Sequence, residues 1–313
     1  MSNEITGVVV RSTGSWYVVK TGDGELVHCK LKGRFKIKGI RTTNPLAVGD
    51  RVDLKPGQEP KTGVIVHIHE RKNYIIRKAT NLSKASHIIA ANLDQAILIV
   101  TLAHPRTSTG FIDRFLVTAE AYHIPAVLVF NKFDLYDATL TEQLDEYLEV
   151  YSAAGYTCLV TSAKTGFHVE DFKKRLQHKV SLLSGHSGVG KSALINAIDP
   201  SLNLKEGEIS KAHRKGKHTT TFAEMFPLVF GGEIIDTPGI KEFGLVGFEK
   251  KELGHRFPEI RALMDQCRFS DCLHLKEPGC AVRAAVENGT FPGFRYRNYL
   301  NMLKDIEENS YGG

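Results

Sequence analysis

The chemically most specific segment of this chain is a glycine-rich octapeptide that ends in a lysine and a serine. It reads Gly-His-Ser-Gly-Val-Gly-Lys-Ser at 185–192 and lies between an apolar run at 180–184 and a predicted helix that opens at Lys191. Between a strand and a helix, glycines let backbone N–H groups approach phosphate oxygens, and the helix N-terminus favours their negative charge. Lys191 then reaches the terminal phosphates and the Ser192 hydroxyl binds Mg²⁺. The predicted phosphate contacts are Gly185, His186, Ser187, Gly188, Val189, Gly190, Lys191, Ser192 and Ala193.

Two further segments, each at the end of a predicted strand, indicate which base the site binds. Asn-Lys-Phe-Asp at 131–134 follows the strand 126–130, and Ser-Ala-Lys at 162–164 follows the strand 157–161. An ionised Asp134 accepts hydrogen bonds from guanine N1–H and N2–H₂, a donor pair that adenine lacks. Either segment alone is weak evidence, but together they predict GTP or GDP. The predicted base contacts are Asn131, Lys132, Phe133, Asp134, Ser162, Ala163 and Lys164, with Asn131 tying this loop to the phosphate loop.

A third group of residues is predicted to bind magnesium and to respond to the γ-phosphate. Asp-Thr-Pro-Gly at 236–239 follows the strand 233–235, so that Asp236 holds Mg²⁺ through water and the Gly239 N–H senses the γ-phosphate. One threonine of 219–221 is expected to close over Mg²⁺. Thr220 is favoured, although the spacing leaves its two neighbours open. The predicted magnesium ligands are therefore Ser192, Thr220 and Asp236.

The position after Gly239 bears on the rate of hydrolysis. Ile240 stands where many GTPases have a glutamine that orients the attacking water. An apolar side chain cannot orient water, so we expect slow hydrolysis by the chain alone. His218 and Thr220 are the candidate catalytic residues, although a solvated histidine in a basic loop explains His218 equally well. A partner that supplies or orders the catalytic group is a further alternative.

Three of the five cysteines and one histidine form a compact metal-binding pattern. Cys267, Cys272, His274 and Cys280 lie within 14 residues and supply three thiolates and one imidazole. This donor set fills the tetrahedral shell of one structural Zn²⁺ and leaves no position for a substrate water. Cys29 and Cys158 stand alone in strand-like runs, where small buried side chains are the expected role.

These motifs require elements that position them. Short alternating runs separated by turn signals predict an OB-fold β-barrel over 1–72. Apolar strands alternating with amphipathic helices predict an α/β P-loop domain with a parallel sheet over 73–247. Helical segments around the cysteines predict a zinc-binding helical domain over 248–313. Because 131–134 and 162–164 precede 185–192, the GTPase motifs occur in circularly permuted order, with their cyclic sequence intact.

Charge and composition restrict the partners. Residues 1–72 hold 13 Lys or Arg against 7 Asp or Glu, so they carry the whole net charge of +6. A basic domain of this kind is a solvated face or a surface for phosphate backbones, with Trp16, Tyr17 and Phe35 as stacking or core residues. Arg295 and Arg297 extend such a surface or belong to a packed helix. The sequence has no run long enough to span a membrane, and we expect a cytoplasmic monomer.

The motif set resembles one family over essentially the whole chain. A β-barrel, a permuted GTPase domain with Gly-His-Ser-Gly-Val-Gly-Lys-Ser, His-Thr-Thr-Thr and Asp-Thr-Pro-Gly, and the terminal cysteine pattern are similar to the bacterial RsgA (YjeQ) family. The resemblance implies a cytoplasmic GTPase that binds the maturing small (30S) ribosomal subunit near its decoding region, contacts 16S rRNA and is stimulated by the subunit. It implies GTP or GDP, Mg²⁺ and one structural Zn²⁺ as cofactors.

Two other functions remain open at this point. The same GTPase domain is compatible with a switch that acts on another RNA such as tRNA. A nucleotide-stabilised RNA-binding protein without significant turnover is the other alternative, for which Ile240 would mark lost catalysis.

Overall fold

A computed structural model describes residues 4–13, 16–32, 45–78, 86–204, 223–236 and 248–311. Several residues singled out by the sequence lie outside these ranges, and they are Phe35, His218, Thr219, Thr220, Thr221, Gly239 and Ile240.

The N-terminal part is a closed five-stranded barrel, as the alternating runs predict. Its strands are β1 (Ile5–Ser12), β2 (Tyr17–Thr21), β3 (Leu26–Leu31), β4 (Arg51–Pro56) and β5 (Thr62–Ile68). Pairing runs β1-β2-β3-β5-β4 and returns from β4 to β1, and β3 with β5 is the parallel pair. Alternate side chains face inward, so Val9, Val19 and Ile65 are fully buried in the barrel core.

The aromatic residues of the barrel divide between core and surface. Tyr17 is 3% exposed and packs in the core, so the stacking role considered for it is wrong. Trp16 is 41% exposed, and the Lys30 ammonium lies 4.4 Å from its ring centroid. Cys29 is fully buried, as expected for a small apolar side chain.

A hairpin that the sequence pattern did not predict follows the barrel. Strands β6 (Tyr74–Lys78) and β7 (Ser86–Ala91) pair with each other in a separate two-stranded sheet. The Ala91 N–H donates to Val48 O at 2.9 Å, and Asn73 exchanges side-chain hydrogen bonds with the Leu93 backbone. These contacts join the hairpin to the barrel on one side and to the next sheet on the other.

The central sheet has the order β10-β9-β8-β11-β13-β12. Five strands are parallel, and β12 is antiparallel to β13. All six residues of β8 are buried because helices cover both faces of the sheet. The strands are β8 (Gln95–Val100), β9 (Ala126–Phe130), β10 (Thr157–Val160), β11 (Val180–Ser184), β12 (Glu224–Pro227) and β13 (Glu233–Asp236).

Among the described residues, four helices flank this sheet, and each connects parallel strands or leaves the phosphate loop. They are α1 (Thr109–Ala121), α2 (Ala138–Ala153), α3 (Val169–Leu176) and α4 (Lys191–Ile198). Strand β12 ends at Pro227, and the chain turns back toward β13 through Gly231 and Gly232, both at positive φ. Arg11 of β1 pairs with Glu224 of β12, which joins barrel and sheet.

The C-terminal part is helical, as predicted. Its helices are α5 (Lys250–Leu253), α6 (Pro258–Leu263), α7 (Ala281–Glu287) and α8 (Gly293–Tyr311), with 3₁₀ turns at Gly254–Arg256 and Met264–Gln266. Their apolar side chains form one core that includes Val117 of α1. Within the described ranges, no helix is both long and apolar enough to cross a membrane.

The two arginines of α8 have different roles. Arg295 is 1% exposed and donates to Asp113 of α1 at 2.6 Å and to Glu259 of α6 at 2.8 and 2.9 Å. Of the two roles left open for Arg295, a nucleic-acid surface or a packed helix, the structure shows the second, because the guanidinium is enclosed between two helices. Arg297 is exposed.

Candidate nucleotide-binding site

The predicted nucleotide contacts converge at one edge of the central sheet. Because β8, β9, β10, β11 and β13 are parallel, their carboxyl ends lie together, and ligands of such sheets bind beyond that edge. The segments that leave four of these ends begin at Thr101, Asn131, Thr161 and Gly185, and Asp236 is the last residue of β13. The structure thus brings the segments 131–134, 162–164 and 185–192 to one edge of the sheet, together with Asp236, the one described residue of the motif 236–239.

The phosphate loop has a backbone that only glycine tolerates at its key positions. Gly185, Gly188 and Gly190 have φ of +143°, +87° and +93°. A Cβ on Gly185 would lie 2.6 Å from the Ile99 carbonyl oxygen. The loop therefore presents bare backbone N–H groups beside the start of α4, which is the arrangement that binds phosphate.

Lys191 and Ser192 occupy the first turn of α4, and both are nearly buried. The Lys191 ammonium donates to the carbonyl oxygens of Gly185 and His186 at 2.6 and 2.9 Å, so its side chain arches over the loop. Burial lowers the pKa of Lys191, and the nearby charge of Asp236 at the end of β13 opposes that effect. The two carbonyl oxygens therefore hold the ammonium at the loop.

Gly190→Ala is expected to raise the dissociation constant for GDP by about tenfold or more. The new methyl would lie 2.5 Å from Asn131 Nδ2 at a φ that L-residues avoid, so the phosphate and base loops must move apart. Titration with a fluorescent GDP analogue measures the effect. Gly155→Ala is the matched control, since φ there is +90° but nothing lies within 4 Å of the added Cβ. An unchanged affinity in Gly190→Ala would contradict the structure.

Asn131 joins the base and phosphate loops. Its Nδ2 donates to the Val189 carbonyl at 2.9 Å, and its Oδ1 accepts from Thr161 Oγ1 at 3.2 Å and from the Ala163 N–H at 3.3 Å. The side chain is 1% exposed. The hydrogen bond to Val189 is the link between base loop and phosphate loop that the sequence predicts. The bonds to Thr161 and Ala163 also link Asn131 to the segment 162–164 and the residue before it.

The Asp134 carboxylate is held by side chains of the segment 162–164. Its Oδ1 accepts from Ser162 Oγ at 2.6 Å, and the exposed Lys164 ammonium is 3.8 Å from its Oδ2. Lys132 has φ of +66° and donates from its ammonium to the His104 carbonyl. Phe133 stacks on Phe167 with ring centroids 5.1 Å apart. Asp134 and Ser162 thus follow different strands and are joined by a hydrogen bond.

The motifs did not predict the contribution of 101–107, the loop that follows β8. Besides the His104 carbonyl, it brings Pro105 to 3.5 Å from the position of a Cβ on Gly188. Tyr136 links this loop to the base loop. Its hydroxyl donates to Asn131 O at 2.8 Å and accepts from the Leu102 N–H at 3.0 Å. Burial raises the pKa of Tyr136 to about 12, so it remains a donor. The available signal was the loop's place after an apolar parallel strand.

His186 lies inside the phosphate loop but faces α1. Its ring centroid is 4.1 Å from that of Phe111. Burial, with the neighbouring Lys191 charge, lowers the pKa of His186, so its imidazole is neutral near pH 7. Ser187, Gly188 and Ala193 are exposed, while Val189 is fully buried.

The predicted zinc ligands form a single cluster. The ligand atoms of Cys267, Cys272, His274 and Cys280 all lie within 4.8 Å of one another. His274 Nδ1 is 3.7 Å from Cys267 Sγ and 3.4 Å from Cys280 Sγ. The edge of a tetrahedral Zn²⁺ site that joins a nitrogen and a sulfur is about 3.6 Å long, so these separations fit that ion.

The surroundings of this cluster also fit a cation. Burial raises the pKa of Cys272 to about 12, so a bound cation is needed to hold it as a thiolate. Glu277 accepts from the backbone N–H groups of Leu273, Leu275 and Lys276, which fixes the loop between the ligands. The hydroxyl of Tyr299 on α8 donates to Leu273 O at 2.9 Å. The cluster is compatible with Zn²⁺.

Comparison with known proteins agrees with this geometry. The family model described as RsgA GTPase matches residues 68–246, and the RsgA N-terminal domain matches 6–65. Small ribosomal subunit biogenesis GTPase RsgA 2 from Bacteroides thetaiotaomicron is 56% identical over 305 residues, which cover 97% of this chain and 98% of that protein. A Bacteroides fragilis relative, named Small ribosomal subunit biogenesis GTPase RsgA, is 55% identical with the same coverage.

Two crystal structures have the same fold. YjeQ from Thermotoga maritima is 39% identical with a TM-score of 0.78, covering 97% of this chain and 98% of that one. YloQ, described as a circularly permuted GTPase, is 32% identical with a TM-score of 0.74, covering 98% and 96%. The predicted fold class, a permuted GTPase domain between a β-barrel and a cysteine–histidine cluster, is confirmed. The chain belongs to the RsgA GTPase family and is a GTP-hydrolysing enzyme.

Proposed function

We propose that this protein assists late maturation of the small ribosomal subunit, binding the subunit and its 16S rRNA and hydrolysing GTP to GDP and phosphate when the subunit stimulates it. The observation that carries the proposal is the full-length match to relatives named for small ribosomal subunit biogenesis. The contacts of Asn131 support it, because they already join the loops that would bind base and phosphate. In this proposal the protein acts as a cytoplasmic monomer.

Each proposed cofactor is assigned a set of binding residues. Asp134 reads guanine, with Asn131, Lys132, Phe133, Ser162, Ala163 and Lys164 around the base. The loop 185–193 and the Gly239 N–H bind the phosphates. Ser192, Asp236 and Thr220 hold Mg²⁺, and the cysteine–histidine cluster holds Zn²⁺. His218 and Thr220 are the residues proposed to order the attacking water.

The barrel provides a surface suited to RNA. Trp16 is exposed and the Lys30 ammonium covers part of its ring. Exposed aromatic rings beside cations stack with bases and neutralise phosphates. The excess positive charge of the chain lies in this same part of the sequence.

The contacts of α1 suggest how nucleotide state reaches the C-terminal helices. The loop 101–107 touches both Lys132 and the phosphate loop, and α1 begins directly after it. Arg295 and Asn298 of α8 both bond to Asp113 of α1. We therefore place the coupling in α1, in addition to the chain that runs on from Gly239.

Purified small subunits are expected to raise multiple-turnover phosphate release by about tenfold or more, because Ile240 leaves the isolated chain without a glutamine to orient water. A continuous phosphate-release assay measures this. Ser192→Ala is the control, since it removes the proposed magnesium ligand and should abolish both rates. Stimulation by tRNA instead of subunits would favour a switch on another RNA. Absence of turnover under every condition would favour a nucleotide-stabilised binding protein.

A further inference from the structure

A second cluster of metal-ligating side chains lies on the outer wall of the barrel. Asp53 is on β4, His67 is on β5, and His69 follows β5 directly. One carboxylate oxygen and one nitrogen from each ring lie within 4.8 Å of one another. None of the three residues belongs to the nucleotide site or to the cysteine–histidine cluster.

An irregularity in β5 brings the second histidine to this face. Regular alternation would place His67 on the same side as Ile65, which is fully buried in the barrel core. The register instead pairs Leu54 with Ile65 and Asp53 with His67, so Val66 is an extra residue in β5. This β-bulge reverses the alternation and points His67 outward, directly opposite Asp53.

The three side chains are also oriented toward one another. His69 Nε2 lies 3.0 Å from Asp53 Oδ1, and Thr6 Oγ1 donates to the same oxygen at 2.8 Å. The rings of His67 and His69 meet edge to face with centroids 5.0 Å apart. An ion pair with Asp53 needs only His69. The bulge adds a second imidazole, His67, to the same face. The hydroxyl of Thr6 fixes the carboxylate in the way that outer-shell residues fix metal ligands.

We propose that Asp53, His67 and His69 bind one divalent transition-metal ion, of the Zn²⁺, Ni²⁺ or Cu²⁺ type. Imidazole nitrogens prefer these ions, whereas Mg²⁺ prefers sites built from oxygen alone. Nitrogen and oxygen ligands of a tetrahedral ion lie about 3.3 Å apart. The separation of 3.0 Å between His69 and Asp53 is close to this value, and the exposed His67 has its ligand atom within 4.8 Å of both. Three protein ligands leave a coordination position open toward solvent, where an anionic oxygen of another molecule can bind.

The stoichiometry of bound zinc tests the site. The full chain, with its cysteine–histidine cluster loaded, is dialysed to equilibrium against micromolar Zn²⁺ in excess Mg²⁺, and zinc per chain is measured by plasma mass spectrometry. The intact protein should hold two zinc ions and His67→Ala should hold one. His28→Ala, which removes an exposed histidine on β3, should still hold two. One ion in the intact protein, or two in His67→Ala, would overturn the proposal.

Calorimetric titration with Ni²⁺ gives an independent affinity. His69→Ala and Asp53→Asn should each weaken binding by about tenfold or more, because removal of a direct ligand costs at least as much as removal of an outer-shell partner. Circular dichroism checks that these surface variants retain the fold. Equal affinities in the intact protein and both variants would show that Ni²⁺ binds elsewhere and would reject the site.

Discussion

Arg295→Ala is expected to destabilise the packing of α8 on α1 by about 3–5 kcal/mol, because it leaves a buried carboxylate without its cation. Asp113 is fully buried, and Arg295 donates to it at 2.6 Å. Burial lowers the pKa of the Arg295 guanidinium. The negative charges of Asp113 and Glu259 raise it by more, so the pKa is well above its usual range. Without the guanidinium, Asn298 and Tyr151 remain as hydrogen-bond donors to Asp113 but supply no charge.

Hydrogen exchange measured by mass spectrometry locates this effect. Amides of α8 should exchange about 10²- to 10⁴-fold faster in Arg295→Ala, while those of the barrel strands should not change. Arg297→Ala removes the same side chain two positions later, where it is exposed, and should alter stability by no more than about 0.5 kcal/mol. Similar exchange rates in the two variants would refute the role assigned to the buried pair.

The parts of this protein that the sequence predicts are those that depend on local rules. The glycines at 185, 188 and 190 were identifiable because a close phosphate contact requires a backbone without side chains, and the structure gives all three positive φ. The barrel strands were identifiable because their inward residues alternate. The four zinc-type ligands were identifiable because chelation by one short segment requires close spacing in sequence.

The parts that were missed depend either on pairs of residues distant in sequence or on one-residue shifts in strand pairing. Asp113 and Arg295 are 182 positions apart, and nothing near either residue indicates that they are paired. The hairpin Tyr74–Ala91 follows no clear alternation, since Ile75 pairs with Ala90 and Ile76 with Ile88, which leaves Ile89 as an extra residue in β7. The outward direction of His67 depends on one extra residue in β5, a shift that spacing along the chain cannot reveal.

Replacing Asp134 with asparagine is expected to exchange specificity from guanine to xanthine nucleotides. A carboxylate accepts from both N1–H and N2–H₂ of guanine, whereas an amide presents one acceptor and one donor. Xanthine carries a carbonyl at C2 in place of the amino group, so it matches the amide. The variant loses the two charge-assisted hydrogen bonds between the Asp134 carboxylate and guanine. This loss corresponds to a fall in GDP affinity of roughly 10²- to 10⁴-fold.

The geometry of the pocket explains why Asp134→Asn should remain folded. The Ser162 hydroxyl, which donates to Asp134 Oδ1 at 2.6 Å, can donate equally to an amide oxygen. The ties through Asn131 do not involve this side chain. Calorimetry with GDP and with XDP measures both affinities. Asp145→Asn, on the exposed face of α2, is the matched control and should leave both unchanged. Undiminished GDP binding by Asp134→Asn would mean that another group reads the base.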